Sequence, residues 1–175
     1  MDMRILTFLG CVFSLMQVAS GAPTPAASSS PAVPAAANLL SGIRLQRAGD
    51  AQAAAKAYAE SAQAGNKWAQ YNYALCLYAG FGVEKNLEEA AKLWQQAASQ
   101  GLPCASYNLA CCYARGEGVP QDYAKAVELW QQAANAGIAE AQMNLAICHH
   151  RGLGVPQDED KAEVCLKQAL AMPRS

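Results

Sequence analysis

Three groups of residues in this 175-residue chain have types and spacings that could do chemistry. The first is the Gly-x-Gly of "ARGEGVPQD", Gly116 and Gly118, which in another setting would cradle a phosphate. A phosphate loop ends in Gly-Lys-Ser/Thr, and a dinucleotide loop needs a third Gly after a strand. Here Val-Pro-Gln follows Gly118, and the same phrase returns around Gly80 and Gly82 and around Gly152 and Gly154, where a nucleotide site would be needed only once. The second group is the cysteines at 76, 104, 111, 112, 148 and 165. The third is Cys148-His149-His150, whose members are helical neighbours that do not share a face, with no Cys-x-x-Cys to complete a zinc site. A packed His pair is the favoured reading, and no metal or other cofactor is expected. No Gly-x-Ser-x-Gly, His-Glu-x-x-His or Ser-x-x-Lys occurs, and the carboxylates fall at helix starts and charged faces. The chain therefore reads as no enzyme.

The elements that carry these residues repeat. Residues 69–104, 105–140 and 141–175 align at a period of 36, and 36–68 matches in its second half while being three residues short at the corner. A period of this length marks a stacked helical array. Each unit holds two helix patterns, A and B. In B, Ala126, Leu129, Trp130, Ala133 and Ala134 make an apolar stripe at helical spacing, as do Ala90, Leu93, Trp94, Ala97 and Ala98. Asn86, Asp122 and Asp158 stand where B begins and can cap it, with Glu89 completing a capping box. Gly65, Gly101 and Gly137 end B. The first Gly of each Gly-x-Gly ends A, the second permits a tight corner, and Val83, Val119 or Val155 can pack beneath it. Pro120 and Pro156 fix the exit.

Arg4 precedes an apolar run from Ile5 to Val18, and "ASGA" follows, the pattern of a secretory signal peptide cut after Gly21. Residues 22–37, "APTPAASSSPAVPAAA", carry no charge and read as a flexible linker. Residues 38–175 form the helical domain. An exported protein, periplasmic or extracellular, is implied. The net charge of −1 argues against a nucleic-acid surface, which needs clustered cations.

The units resemble Sel-1-like repeats, a branch of the tetratricopeptide superfamily, most fully in "YNLACCYARGEGVPQDYAKAVELWQQAANAG". The resemblance implies an all-α fold, a right-handed solenoid of stacked antiparallel helix pairs. It also implies an adaptor that binds a protein or peptide along a concave groove lined by helix A. Carried across, that lining is Tyr71, Leu75 and Tyr78, then Tyr107, Cys111 and Arg115, then Met143, Ile147 and Arg151. Stacking should join Tyr71, Tyr107 and Met143 into one stripe and Leu75, Cys111 and Ile147 into another, with the two arginines orienting an acidic or C-terminal group. Asn72, Asn108 and Asn144 form a ladder beside it, for which a hydrogen bond to the neighbouring repeat's backbone is preferred over peptide contact.

Exported cysteine-rich relatives pair a Cys late in helix B with one at the next helix A, yet Ala97 and Ala98 stand where a partner for Cys104 should be. Core thiols and at least one disulfide both stay open, although no bond is expected between Cys111 and Cys112, which point to different faces. Some of those relatives bind or hydrolyse β-lactams, which makes an enzyme the rival function. A purely structural module that self-associates is the third.

Overall fold

The computed structural model describes residues 32–172, and these form eight α-helices and no strand. They are α1 (Ala32–Arg47), α2 (Ala51–Gln63), α3 (Lys67–Ala79), α4 (Leu87–Ser99), α5 (Pro103–Arg115), α6 (Tyr123–Asn135), α7 (Ala139–Arg151) and α8 (Glu159–Ala171). Odd-numbered helices are the A helices and even-numbered ones the B helices. Each helix packs on the one before and the one after it, the contact pattern of a solenoid in which every unit touches only its neighbours.

Capping sets the boundaries. Asp50, Asn86, Asp122 and Asp158 each accept the backbone N–H three residues on, at 3.0 Å, so every B helix starts on a satisfied side-chain cap. Helix α3 is capped by Asn66, which accepts from Trp68 and Ala69. Helix α5 uses Pro103 in its first turn, where the missing N–H would have had no partner. At the A-helix ends, Gly116 adopts φ 71° and its N–H returns to the Cys112 carbonyl, closing α5 in the left-handed conformation a side chain would resist.

The second glycine of each corner does more than the sequence reading assigned to it. A Cβ on Gly118 would collide with the Leu87 carbonyl, the first residue of the preceding repeat's B helix, and Gly82 and Gly154 meet Ala51 and Tyr123 in the same way. The Gly-x-Gly corner is thus a seat for the helix before it. That accounts for its absence from the first unit, which has no preceding repeat among the described residues.

Two expectations need correction at the N-terminal end. Helix α1 begins at Ala32, so the part of the expected linker from 32 to 37 is helical. The alanine-rich run favours a helix, and Pro34 falls in the first turn, where no intrahelical hydrogen bond is lost. The first corner is also shorter than the three-residue deficit read from the sequence. Asn38 donates to Glu60 as Gln70 donates to Gln96, and their separations of 22 and 26 residues make that corner four residues shorter than the next. Residues 1–31, with the expected signal peptide and most of the linker, and residues 173–175 lie outside the described residues.

Tyr58, Trp94 and Trp130 hold one position in successive B helices and are all buried. Their surroundings change along the array. The Tyr58 hydroxyl donates to Gln46 at 2.6 Å, the Trp94 ring lies against the Tyr78 ring with centroids 5.4 Å apart, and Trp130 lies near the Cys111 thiol.

Candidate functional site

The helix A residues divide into those that face the adjoining repeats and those that face outward. On the upstream side, Cys76 joins Ala54, Ala55 and Tyr58 of α2 in one cluster, with Tyr73 and Val83 packed against it. On the downstream side, the Tyr71 hydroxyl lies 3.5 Å from the Asn108 amide of the next A helix, and the Tyr78 hydroxyl donates to Glu117 of the next corner at 2.7 Å. Asn108 therefore meets a side chain of the neighbouring repeat, where a backbone partner was expected.

Exposure varies along the expected groove. Tyr71, Tyr107 and Cys111 are buried, and the Tyr71 hydroxyl meets Asn108 of the following repeat. The stripe inferred from recurrence is thus closed to solvent at Tyr71, Tyr107 and Cys111. Leu75 and Tyr78 are half-buried. The stripe opens in the last repeat, where Met143 is 42% exposed against 3% for Tyr107, and Ile147 is 41% exposed against 7% for Cys111.

The two arginines also differ. Arg115 lies 3.7 Å from Glu117, the carboxylate that holds Tyr78. Burial, together with the hydrogen bond to Glu117, raises the Tyr78 phenol far above its usual range, so this cluster ties two repeats together as a neutral phenol on a carboxylate. Arg151 is exposed and pairs with no carboxylate among the described residues. At the position of Glu117 the last corner carries Leu153.

One outward residue escaped the sequence reading. Trp68 is exposed at the start of α3, one helical face with Leu75 and Ala79, and its equivalents are Cys104 and Glu140. Burial raises the Cys104 thiol, and the Glu140 carboxylate of the next repeat adds to that. A tryptophan seven residues before Leu75 was the available signal, since positions i and i+7 share a face.

The six described cysteines are free. Burial pushes Cys76, Cys111 and Cys148 up to about 11 and Cys112 up to about 12, and for Cys111 it outweighs the nearby Arg115, Trp130 and Tyr107, which favour the thiolate. Such thiols are poor nucleophiles and act as small apolar core groups. Nδ1 of His150 lies 2.9 Å from the Glu159 carboxylate, an exposed pair bridging α7 and α8. No group of three His, Cys, Asp or Glu among the described residues could hold a metal ion.

The fold and the corner chemistry define a helical repeat protein. The Sel1 repeat family matches residues 69–102, 105–138 and 139–172, and the chain belongs to that family. A Sel1 repeat protein from Oxalobacter formigenes superposes with a TM-score of 0.70 at 29% identity, over 76% of this chain and 53% of that one. A protective antigen of uropathogenic Escherichia coli strains, displaying an SLR fold, gives 0.60 at 23% identity over 78% of this chain and 38% of that one. A Sel1 repeat protein from Klebsiella pneumoniae subsp. pneumoniae gives 0.59 at 23% identity over 80% and 69%. The chain thus spans about half the length of the first structure and less of the second. No curated protein matches it. The fold is one typically used for protein–protein interaction, and proteins of this family are generally non-catalytic scaffolds. No helix among the described residues is long and apolar enough to cross a membrane.

Proposed function

We propose that the chain is an exported, non-catalytic adaptor that binds a protein or peptide segment along the outward face of its A helices. The binding is centred on Ile147 and Arg151 and extends toward Arg115, Leu75 and Trp68. The observation that carries this reading is the pairing of an exposed apolar side chain, Ile147, with an exposed cation one turn on, Arg151, that pairs with no carboxylate among the described residues. Such a pair suits an extended segment with apolar residues and a terminal or side-chain carboxylate, because the guanidinium fork takes a carboxylate in a bidentate manner. Export is supported by Arg4 and the apolar run from Ile5 to Val18.

The test is an array of immobilised peptides, each present with a free and with an amidated C-terminus, probed with the chain and with Ile147→Ser/Arg151→Ala. Retention by the free-carboxylate series, lost in the double variant while the melting temperature stays within a degree or so, supports the reading; both side chains are exposed, so little stability is at stake. Equal retention by the variant sinks it. Mass spectrometry of the N-terminus of the protein recovered outside the cell checks export separately: a chain beginning at residue 22 is expected, and an intact Met1 refutes cleavage.

A further inference from the structure

The charges of the helical array are sorted by layer. In the A helices Arg44, Arg47, Lys67, Arg115 and Arg151 stand against a single carboxylate, Glu140, in the first turn of α7. The B helices mix lysines with a larger number of carboxylates and contain no arginine. A net charge of −1 therefore conceals an A layer with an excess of cations. The arginines are placed more narrowly still. Arg47, Arg115 and Arg151 are each the last residue of an A helix, and Ala79 holds that position in α3. The helix dipole favours a cation in a last turn. It does not account for this distribution, since no B helix has a basic residue in its last turn and α3 ends without one. Nor do the acids at the starts of the B helices serve as counterions, because Glu89, Asp122 and Asp158 each pair with the lysine three residues on. Arg115 shares Glu117 with the Tyr78 hydroxyl, whereas Arg47 and Arg151 are exposed and pair with no carboxylate among the described residues.

We infer, resting on the peptide-binding reading above, that the partner segment is acidic and extended and crosses the A helices near their C-terminal ends, with carboxylates in register with Arg151, Arg115 and Arg47. Successive A helices touch, through Tyr71 with Asn108, and Tyr78 of one A helix reaches Glu117 at the end of the next. Helices in such contact lie about 8–10 Å apart. An extended chain advances about 3.3 Å per residue, so three of its residues lead from one A helix to the next. The matching segment carries Asp or Glu at two positions three residues apart, over Arg151 and Arg115. An uncharged residue follows after three more, over Ala79, and a further Asp or Glu after another three, over Arg47. Arginine suits this task better than lysine, because its planar fork takes a carboxylate through two parallel hydrogen bonds. A nucleic acid fits less well, since its charges fall closer together than one per repeat and call for clustered cations.

The test uses synthetic peptides of a serine, threonine and valine background, amidated so that no terminal carboxylate contributes. One carries glutamates at the spacing just given, a second carries the same glutamates side by side, and a third has glutamine in their place. Titration is followed by the NMR signals of the arginine Nε–H groups. The spaced peptide should move the signals of Arg47, Arg115 and Arg151 and bind about fivefold more tightly than the contiguous one, and the glutamine peptide should leave them in place. Arg47→Gln/Arg115→Gln/Arg151→Gln should weaken binding about tenfold, at roughly two- to threefold for each exposed ion pair. Lys56→Gln/Lys92→Gln/Lys167→Gln makes the same change of charge on the B helices and should leave affinity within about twofold. If circular dichroism shows that the arginine triple variant has lost helicity, Arg151→Gln alone should still weaken binding about threefold. Equal losses in the two triple variants would reduce the effect to overall charge, and equal binding of the spaced and contiguous peptides would remove the register; either overturns the inference. Tighter binding of a single-stranded oligonucleotide than of the spaced peptide would assign the row to a nucleic acid instead. Retention on the peptide array above without regard to acidic content leaves the peptide-binding reading standing and removes the acidic partner, whereas no retention at all removes both.

Discussion

The third and fourth repeats share one pattern and have different fates. Residues 105–138 and 139–172 both match the family, cap their B helices with an aspartate, and turn on Gly-x-Gly. Yet α6 buries Ala126, Trp130, Ala133 and Ala134, and α8 buries only Ala162. Burial in this protein belongs to the junction between repeats: a helix pair makes half a core and its neighbour supplies the other half. The same position can accordingly be structural in one repeat and available for binding in the next.

The sharpest way to test that contrast is to delete the corresponding side chain in each repeat. Trp130→Ala should cost about 3–5 kcal/mol in urea unfolding, from lost burial and the cavity left behind. Leu166→Ala should cost about 1 kcal/mol or less in dilute solution, where its face is open. Similar costs would mean that the last repeat is covered even in the isolated chain.

A smaller effect distinguishes the two classes of glycine. Gly118→Ala strains a left-handed residue, φ 73°, and drives a methyl group into the Leu87 carbonyl, so a loss of about 2–4 kcal/mol is expected from thermal melting. Gly137→Ala, at φ 94° with nothing within 4 Å, should lose about 1–2 kcal/mol, the conformational part alone. Equal losses would show that the Gly-x-Gly corner does not seat the preceding helix.

The thiols give the finest comparison. At about pH 8, iodoacetamide should modify half-exposed Cys165 in the native protein well before Cys111, Cys112 or Cys148, which should react after denaturation. Their folded pKa values are raised above the ordinary 9.0, so the stability they contribute is complete below that value and is lost as pH rises toward about 11. A melting temperature that climbs over this range would contradict their burial as neutral thiols.

Much of this architecture could be read from the sequence because its causes are local. The capping oxygens of Asn86, Asp122 and Asp158 act three residues away, Gly116 closes its own helix, and the stripe of Ala126, Trp130 and Ala133 follows from helical spacing. The candidate site was less legible. Recurrence of Tyr71, Tyr107 and Met143 marked an equivalent position correctly but gave no account of what lies over it, and Trp68 fell outside the stripe under consideration. Arg115 and Arg151 hold equivalent positions, but the structure sets Glu117 beside the first, and the last corner carries Leu153 at the position of Glu117.

By itself, then, the sequence determined the helices, their ends, the corners and the period, all governed by contacts within a few residues. Only the tertiary structure decided which recurring residues are buried and which stay open, and that the second glycine of each corner seats the helix of the preceding repeat. Those properties depend on whether a neighbour about 36 residues away is present to exclude water, and periodic spacing is the same on either side of that condition.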